Sequence, residues 1–314
     1  MNATGLGGNA NRRYRAGKLE KRNTLIAYTF LAPNFIGFFI FTLIPVAFSI
    51  ALAFLNWNGG ALNTITFAGL ENFATLLKRF NFTRNELGVT LKNTAFFTLF
   101  TVPLSIACAL LLALALNRAV CGAKVFRTIF FFPYIASLVA VCVCWSFMLM
   151  KLGPVNQMLE LVGISVGKSW TQSREYAIWA LIIVSVWRNA GYYMVMYLAG
   201  LQGVPAELYE AATVDGANGW HKFWKVTFPM LTPTTFFVSI MMTIYCFKIF
   251  DVVQIMTEGG PGRSTKMLVN YIYQLAFIDI KYGQASAVAM ALFAIVLIIT
   301  LAQFRIEKKW VNYM

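Results

Sequence analysis

The sequence is poor in charged and in reactive side chains. Only 12% of its 314 residues are Asp, Glu, Lys or Arg, and it contains a single histidine, His221. No His-Glu-x-x-His or Cys-His metal pattern occurs in it. We therefore expect no catalytic centre, no metal site and no cofactor bound by this chain. His221 is expected to pack or to cap a helix.

Cysteine is scarce as well, and its placement does not suggest disulfides. Cys108, Cys142, Cys144 and Cys246 lie within apolar runs, and Cys121 lies in a short basic connector. Cys142 and Cys144 are two residues apart and would point in different directions from a helix. We expect all five to serve packing.

One segment comes close to a nucleotide-binding loop. Residues Gly163 to Ser169 read GISVGKS, which has three residues between the glycines where the phosphate-binding motif requires four. We interpret this segment as an ordinary turn, so any ATP chemistry would belong to another polypeptide.

Long apolar runs, by contrast, dominate the sequence. Hydrophobic residues make up 59% of the positions and the mean hydropathy is +0.66, which is far too apolar for a soluble domain of this length. A bilayer-spanning helix needs about 20 such residues. The pattern predicts an all-α polytopic membrane protein with six spans, at about residues 25–55, 93–116, 128–150, 177–202, 228–250 and 284–304.

Basic residues predict the orientation of these spans. Clusters of Lys and Arg precede the first span, fill the 118–127 connector and follow the last span, and cytoplasmic connectors carry such an excess. We expect residues 1–24 to form a basic cytoplasmic tail without regular structure and residues 306–314 to form a second cytoplasmic tail. The net charge of +14 is explained by topology and lipid headgroups, and no nucleic-acid partner is expected because no basic soluble module is present.

The connector at residues 203–228 is the most informative segment. Pro205 and Glu207 suit a helix start, Glu210-Ala211-Ala212 follow, and Gly216 after Asp215 allows a turn before an aromatic stretch that ends at Pro229. The pattern predicts two short helices on the cytoplasmic face. A polar connector of this kind could also be amphipathic without docking to anything.

This spacing resembles the cytoplasmic EAA loop of the membrane subunits of bacterial ATP-binding-cassette (ABC) importers. Val226 and Phe228 stand where the family pattern usually has Ile and Leu before the proline. The resemblance extends to sugar-importer permeases of the MalF and UgpA type, through Trp187 to Gln202, Phe247 to Asp251 and the Gly259-Gly260-Pro261-Gly262 segment. It covers about residues 25–305.

The resemblance implies a MalF/MetI-like fold and a set of partners in the bacterial cytoplasmic membrane. These are a second, MalG-like permease, a dimer of ABC ATPases that binds ATP and Mg²⁺, an extracytoplasmic solute-binding protein and a carbohydrate substrate, with lipid around the spans. It also implies that the ATPase contacts a set of residues in the connector, namely Glu207, Glu210, Ala211, Ala212, Asp215 and Gly216.

Polar residues inside the fourth and fifth spans are the predicted substrate path, because such groups are costly in lipid and usually face a wet cavity. They are Asn189, Gly191, Tyr192, Tyr245, Lys248 and Asp251. Other roles compete for them. Arg188 and Lys248 could extend to an interface, and Lys248 could pair with Asp251 one turn away.

Three functions remain in competition. The first is an ATP-driven importer permease for a sugar or oligosaccharide. The second is the same architecture importing glycerol phosphate esters, for which Arg188 and Lys248 could serve an anion. The third is a six-helix carrier or channel that works without an ATPase, for which the sequence offers no selectivity filter and no clear internal repeat.

Overall fold

Long apolar helices form most of the molecule. The structure is a computed structural model, and it describes residues 7–61, 64–78, 81–117 and 122–311. The first half of the chain contains α1 Gly7–Phe38, a π-helical stretch Phe39–Leu43, α2 Ile44–Ala53, the paired strands β1 Leu55–Asn56 and β2 Thr66–Phe67, α3 Glu71–Leu77, α4 Glu86–Asn117, α5 Ala123–Ile135, α6 Leu138–Met148 and α7 Pro154–Leu161.

The second half begins with the most buried helix. It contains α8 Ala177–Gln202, α9 Ala206–Val214, α10 Gly219–Lys222, a π-helical stretch Phe223–Thr227, α11 Phe228–Met230, α12 Thr232–Phe247, α13 Asp251–Met256, α14 Leu268–Tyr273, a π-helical stretch Gln274–Ile278 and α15 Tyr282–Trp310. The strands are antiparallel and only two residues long, with Leu55 opposite Phe67.

Four helices of the described residues are long and apolar enough to cross a bilayer unbroken. They are Asn23–Ala53, Glu86–Asn117, Ala177–Gln202 and Tyr282–Lys308. Two further pairs qualify only if each bent pair counts as one span: α5 with α6, bent by 96°, and the Gly219–Met230 segment with α12, bent by 62°. The described residues therefore contain four to six elements that are long and apolar enough to span a bilayer.

The bends differ from the unbroken helices expected at 128–150 and 228–250. Between α5 and α6, Ala136 and Ser137 adopt extended backbone with ψ of 150° and 121°, which ends the helical hydrogen bonding. Before α12, Pro229 and Pro233 flank the bend at Leu231 and remove two backbone donors. Hydropathy alone does not reveal either break, because both lie inside charge-free sequence.

Helix α1 also differs from the prediction. It begins at Gly7, so it extends into the stretch 1–24 that was expected to be an unstructured tail; residues 1–6 of that tail and 312–314 of the other lie outside the described residues. Residues 10–22 contain the helix formers Ala, Leu, Glu, Lys and Arg, and they continue a helix already nucleated by the apolar run. Pro33 lies inside α1, and the π-helical stretch at Phe39–Leu43 precedes Pro45 and accommodates its missing donor.

The core of the bundle lies around α8. This helix packs on α4, α5 and α12, and its Tyr197 is fully buried with its hydroxyl 3.2 Å from Thr235 Oγ1 of α12. A second apolar cluster joins α2, α14 and α15. The outer surface is apolar instead of charged, with side chains such as Phe30, Phe41 and Phe293 at least 70% exposed, as expected for a surface solvated by lipid.

Gly191 is the point of closest contact between α8 and α5. A Cβ at this position would collide with the carbonyl oxygen of Phe130 and come within 2.9 Å of the Phe131 Cα. The backbones of the two helices therefore approach through a position that only glycine can fill.

Replacing Gly191 with alanine should push α8 away from α5 and lower the stability of the bundle. Overpacking of this kind costs about 1–3 kcal/mol, which thermal unfolding of the detergent-solubilised protein would register as a lower midpoint. Gly37→Ala is the matched control, because nothing lies within 4 Å of a Cβ at Gly37. Equal midpoints for the two variants would contradict the packing role of Gly191.

Candidate functional site

Helix α9 lies at the end of the bundle where α8 finishes. None of its residues is buried, and its outward side chains include Val214, which is 88% exposed, together with Leu208 and the carboxylates of Glu207 and Glu210. The carboxylates of Glu207, Glu210 and Asp215 form no ion pair within the described part of the chain. The exposed side of α9 therefore combines apolar surface with unpaired negative charge.

The opposite side of α9 is fastened to the chain that follows it. The Tyr209 hydroxyl lies 3.0 Å from Thr227 Oγ1, and Lys222 Nζ donates to Thr213 Oγ1 at 2.8 Å. Thr227 belongs to the π-helical stretch that leads into α11 and is 6% exposed. Tyr209 and Thr213 are one helical turn apart, so both contacts come from one face of α9. We call these four residues the anchor of α9.

The end of α9 is closed by a Schellman turn. The Ala217 amide donates to the Ala212 carbonyl at 2.9 Å, and the Gly216 amide donates to the Thr213 carbonyl at 3.0 Å. Gly216 has a φ of 75°, a conformation that favours glycine, although a Cβ there would meet open space. Asn218 then caps α10, its Oδ1 accepting from the His221 amide at 2.9 Å.

His221 takes part in that cap, since its Nδ1 also lies 2.9 Å from Asn218 Oδ1. The aromatic side chains after it form a cluster of edge-to-face and tilted rings, with the Trp224 centroid 5.0 Å from that of Phe223 and 5.2 Å from that of Phe228. Trp220 is 69% exposed at the mouth of a cavity of about 670 Å³ between this stretch and the far end of α4. The connector is thus a folded unit with an open surface.

A second group of predicted residues meets where α8, α12 and α13 approach one another. Asn189 is 2% exposed and donates through Nδ2 to the Ser185 carbonyl at 2.7 Å. Tyr245 of α12 lies beside Asn189 and Ser185. Tyr192 stacks on Tyr134 with ring centroids 4.4 Å apart and an angle of 15° between the planes.

Two charged residues complete this group. Arg188 lies over the Tyr134 ring at 5.2 Å and donates to the Tyr134 carbonyl at 3.2 Å. Asp251 begins α13, and both Arg188 and Asp251 lie near the buried Cys142 thiol of α6. The Arg188 Nε and Ser185 Oγ atoms are buried without a hydrogen-bond partner in the described part of the chain. We call Tyr134, Arg188, Asn189, Tyr192, Tyr245 and Asp251 the polar cluster.

The structure separates the other two predicted path residues from this cluster. Gly191 faces the α5 backbone, as described above. Lys248 ends α12 with an exposed side chain, and no ion pair joins it to Asp251 within the described residues. The alternative in which these two charges neutralise each other one turn apart is therefore not supported.

Sequence reasoning missed Tyr134 and the anchor of α9. Tyr134 is hidden in the apolar run of the third predicted span, and the only local signal is its place after Pro133, a residue that already weakens the helix. Tyr209 and Thr213 carry a signal in their four-residue spacing, which puts two hydroxyl-bearing side chains on one face of α9.

Comparison with known proteins gives consistent matches along nearly the whole chain. Residues 101–311 match the family model described as "Binding-protein-dependent transport system inner membrane component". The probable ABC transporter permease protein YesP of Bacillus subtilis is 37% identical over 99% of this chain and 98% of its own length. The sn-glycerol-3-phosphate transport system permease protein UgpA of Brucella suis is 32% identical over 94% of this chain and 99% of its own length.

Solved structures of similar fold also come from ABC transporters. A bacterial ABC transporter involved in the import of the acidic polysaccharide alginate contains a chain that superposes with a TM-score of 0.78 at 25% identity, covering 95% of this chain and 100% of that one. The same type of transporter in complex with an alginate pentasaccharide-bound periplasmic protein matches with a TM-score of 0.77 at 26% identity, over 93% of this chain and 96% of that one.

Proposed function

Because the chain belongs to the family of binding-protein-dependent transport system inner membrane components, we propose that it is the non-catalytic permease subunit of an ATP-driven importer of sugars or oligosaccharides. Family membership confirms the resemblance to ABC importer permeases. The observation that carries the mechanism is α9, a helix fastened on one face and open on the other.

Transport requires energy from a partner. In the proposed complex, α9 docks into a cleft of an ABC ATPase that binds ATP and Mg²⁺. Glu207, Glu210 and Asp215 meet basic ATPase residues, while Ala211 and Ala212 allow close approach. Gly216 sets the turn that presents the helix. Closure of an ATPase dimer then moves α9 and, through Tyr209 and Thr227, the helices behind it as a rigid body.

The orientation follows from this docking. The α9 end of the bundle faces the cytoplasm, both termini lie on that side of a bacterial cytoplasmic membrane, and the bent helix pairs complete six spans. A second, MalG-like permease would supply the other half of the path. An extracytoplasmic binding protein would deliver the solute, as the periplasmic protein does for the alginate transporter whose complex is known.

The polar cluster is the proposed substrate path. The partly exposed rings of Tyr134 and Tyr192 and the hydroxyl of Tyr245 offer the aromatic surface and the hydrogen-bonding group that sugar rings require, and the buried Asn189 positions Tyr245. Arg188 has a buried Nε without a partner in the described residues, so a ligand, water or the second permease would satisfy it. In the same proposal Gly191 contributes indirectly, by letting α8 pack closely on α5, and Lys248 lies outside the polar cluster at the exposed end of α12.

A glycerol phosphate ester is the second candidate substrate. Similarity to UgpA permeases favours it, and Arg188 would then act as the cation that a phosphate needs.

A carrier that works without an ATPase is the third candidate, and one experiment distinguishes it from the proposed importer. Uptake by such a carrier would persist when the partner ATPase is catalytically disabled. The proposed importer loses uptake under that condition.

Charge reversal at Glu210, or a β-branched residue at Gly216, should uncouple ATP hydrolysis from transport. We expect Glu210→Lys and Gly216→Val each to reduce ATP-driven uptake about tenfold or more, since a charge-assisted contact is worth about 1.5–3 kcal/mol and valine strains a positive φ. The measurement is solute uptake by proteoliposomes that contain the whole importer, with the amount of inserted chain quantified.

Matched controls isolate the coupling effect. Gly219→Ala changes a glycine with open space and no positive φ, and Glu160→Lys reverses an exposed acid on α7. Both should transport at the wild-type rate. Undiminished uptake by Glu210→Lys and Gly216→Val would remove the basis for the role of α9.

Truncation of Tyr245 should alter which solutes are transported. Tyr245→Ala removes a ring and a hydroxyl beside Asn189, and one such contact changes discrimination between two solutes by about 1–3 kcal/mol, or roughly 10–200-fold. The ratio of uptake rates for two competing sugars checks this. An unchanged ratio, alongside an unchanged ratio for the exposed control Tyr28→Ala, would place the path elsewhere.

A further inference from the structure

A polar pocket of about 340 Å³ lies at the end of the bundle opposite α9. It is formed by the first turns of α4, by the segment just before α8 and by the loop at residues 257–266. Its lining includes three cationic side chains, Lys92, Arg174 and Arg263. The 26-residue helix α8 separates this end from α9 by about 39 Å, so the pocket lies on the extracytoplasmic side if α9 lies inside.

The loop that forms the pocket is held rigidly. Asn93 of α4 donates through Nδ2 to the carbonyls of Arg263 and Lys266, at 2.8 and 3.0 Å. Within the loop, Thr265 Oγ1 donates to the Gly260 carbonyl at 2.7 Å and lies 2.8 Å from Thr257 Oγ1. The pocket is therefore preformed.

Positive charge in and around the pocket exceeds the negative charge available to neutralise it. Glu86 pairs with both Arg263, at 3.1 Å, and Lys266, at 3.0 Å. Lys92 and Arg174 form no ion pair within the described part of the chain. One carboxylate thus faces two cations while two further cations remain unpaired, which favours an anionic ligand.

The Arg174 guanidinium packs against the backbone of Gly262. Gly262 has a φ of 69°, and a Cβ there would stand 2.9 Å from Arg174 Nη2. A side chain at Gly262 would strain the turn and displace the guanidinium. Ser264 also lines the pocket, with its hydroxyl buried and unpartnered among the described residues. The site therefore has neutral donors beside its cations.

The pocket is connected to the polar cluster by a short helix. Helix α13 begins at Asp251 in the cluster and ends at Met256, directly before the loop. Its six residues span about 9 Å. The loop that forms the pocket and Asp251 of the polar cluster therefore lie at the two ends of α13.

We propose that this pocket receives the anionic group of the transported solute, a carboxylate or a phosphate, so that the importer prefers acidic oligosaccharides or phosphate esters to neutral sugars. The proposal rests on the proposed importer function and specifies its substrate class. A pocket of this size accommodates one acidic sugar unit or one phosphate group with a few waters.

The test compares solutes of different charge. The complete importer with its binding protein is reconstituted in proteoliposomes, and ATP-driven uptake is measured for a uronate trisaccharide, for sn-glycerol 3-phosphate and for a neutral trisaccharide. We expect wild type to take up at least one anionic probe faster than the neutral one. The Lys92→Gln/Arg174→Gln double variant should raise the half-saturating concentration of that probe about tenfold or more and leave neutral uptake unchanged.

Two further variants make the result specific. Gly262→Ala keeps every charge but displaces Arg174, and it should weaken anionic uptake in the same direction. Lys151→Gln removes an exposed lysine that lies outside the pocket and forms no ion pair in the described residues, and it should have no effect. The anionic probe that responds identifies the source of the charge, a uronate or a phosphate ester.

Three results would overturn the proposal. The first is a wild type that prefers the neutral probe. The second is anionic uptake that the double variant leaves unchanged. The third is an equal loss of uptake for neutral and anionic probes, which would assign the cations to docking of the binding protein. If wild type shows no ATP-dependent uptake of any probe, the proposed function itself fails and the pocket proposal fails with it.

Discussion

The attachment of α9 to the rest of the chain is the constraint on which the proposed mechanism depends. In the proposed mechanism the partner ATPase pushes on the exposed face of α9. The helix can pass this movement to the membrane bundle only if its other face stays attached to the bundle. Two side-chain contacts, Tyr209 with Thr227 and Lys222 with Thr213, supply this hold, and the Schellman turn at Gly216 fixes the direction of the chain beyond it. Thr227 is buried and directly precedes α11, so the Tyr209–Thr227 contact attaches α9 to the buried part of the chain.

The bilayer imposes a second constraint, which explains where the polar groups are found. Backbone that leaves the helical path within lipid needs other partners, and it is tolerated where it borders protein or water. The break at Ala136 and Ser137 follows Tyr134 closely, and the non-helical residues between α12 and α13 separate Tyr245 from Asp251. The polar cluster thus coincides with interrupted helices, an arrangement that transporters use for substrate sites.

Much of this organisation was predictable from sequence, because its signals are local. Charge-free runs located the apolar helices, and Pro205 and Gly216 marked the limits of α9 to within a residue or two. The break after α5 was not predictable, because the two residues at the break are Ala136 and Ser137 and neither is a glycine or a proline. Contacts between residues distant in sequence, such as Tyr134 with Tyr192, depend on how helices pack and leave no periodic signal.

The most direct test of a firmly held α9 is a distance within this chain measured through the transport cycle. Spin labels at Val214 on α9 and at the exposed Leu104 on α4, in the assembled importer, report whether the helix and the bundle move together. We predict one narrow distance distribution that stays the same without nucleotide and with ATP bound, and that broadens in a Tyr209→Phe variant. A shift of about 5 Å or more on ATP binding, one helical turn, would show α9 sliding on the bundle and would contradict the account.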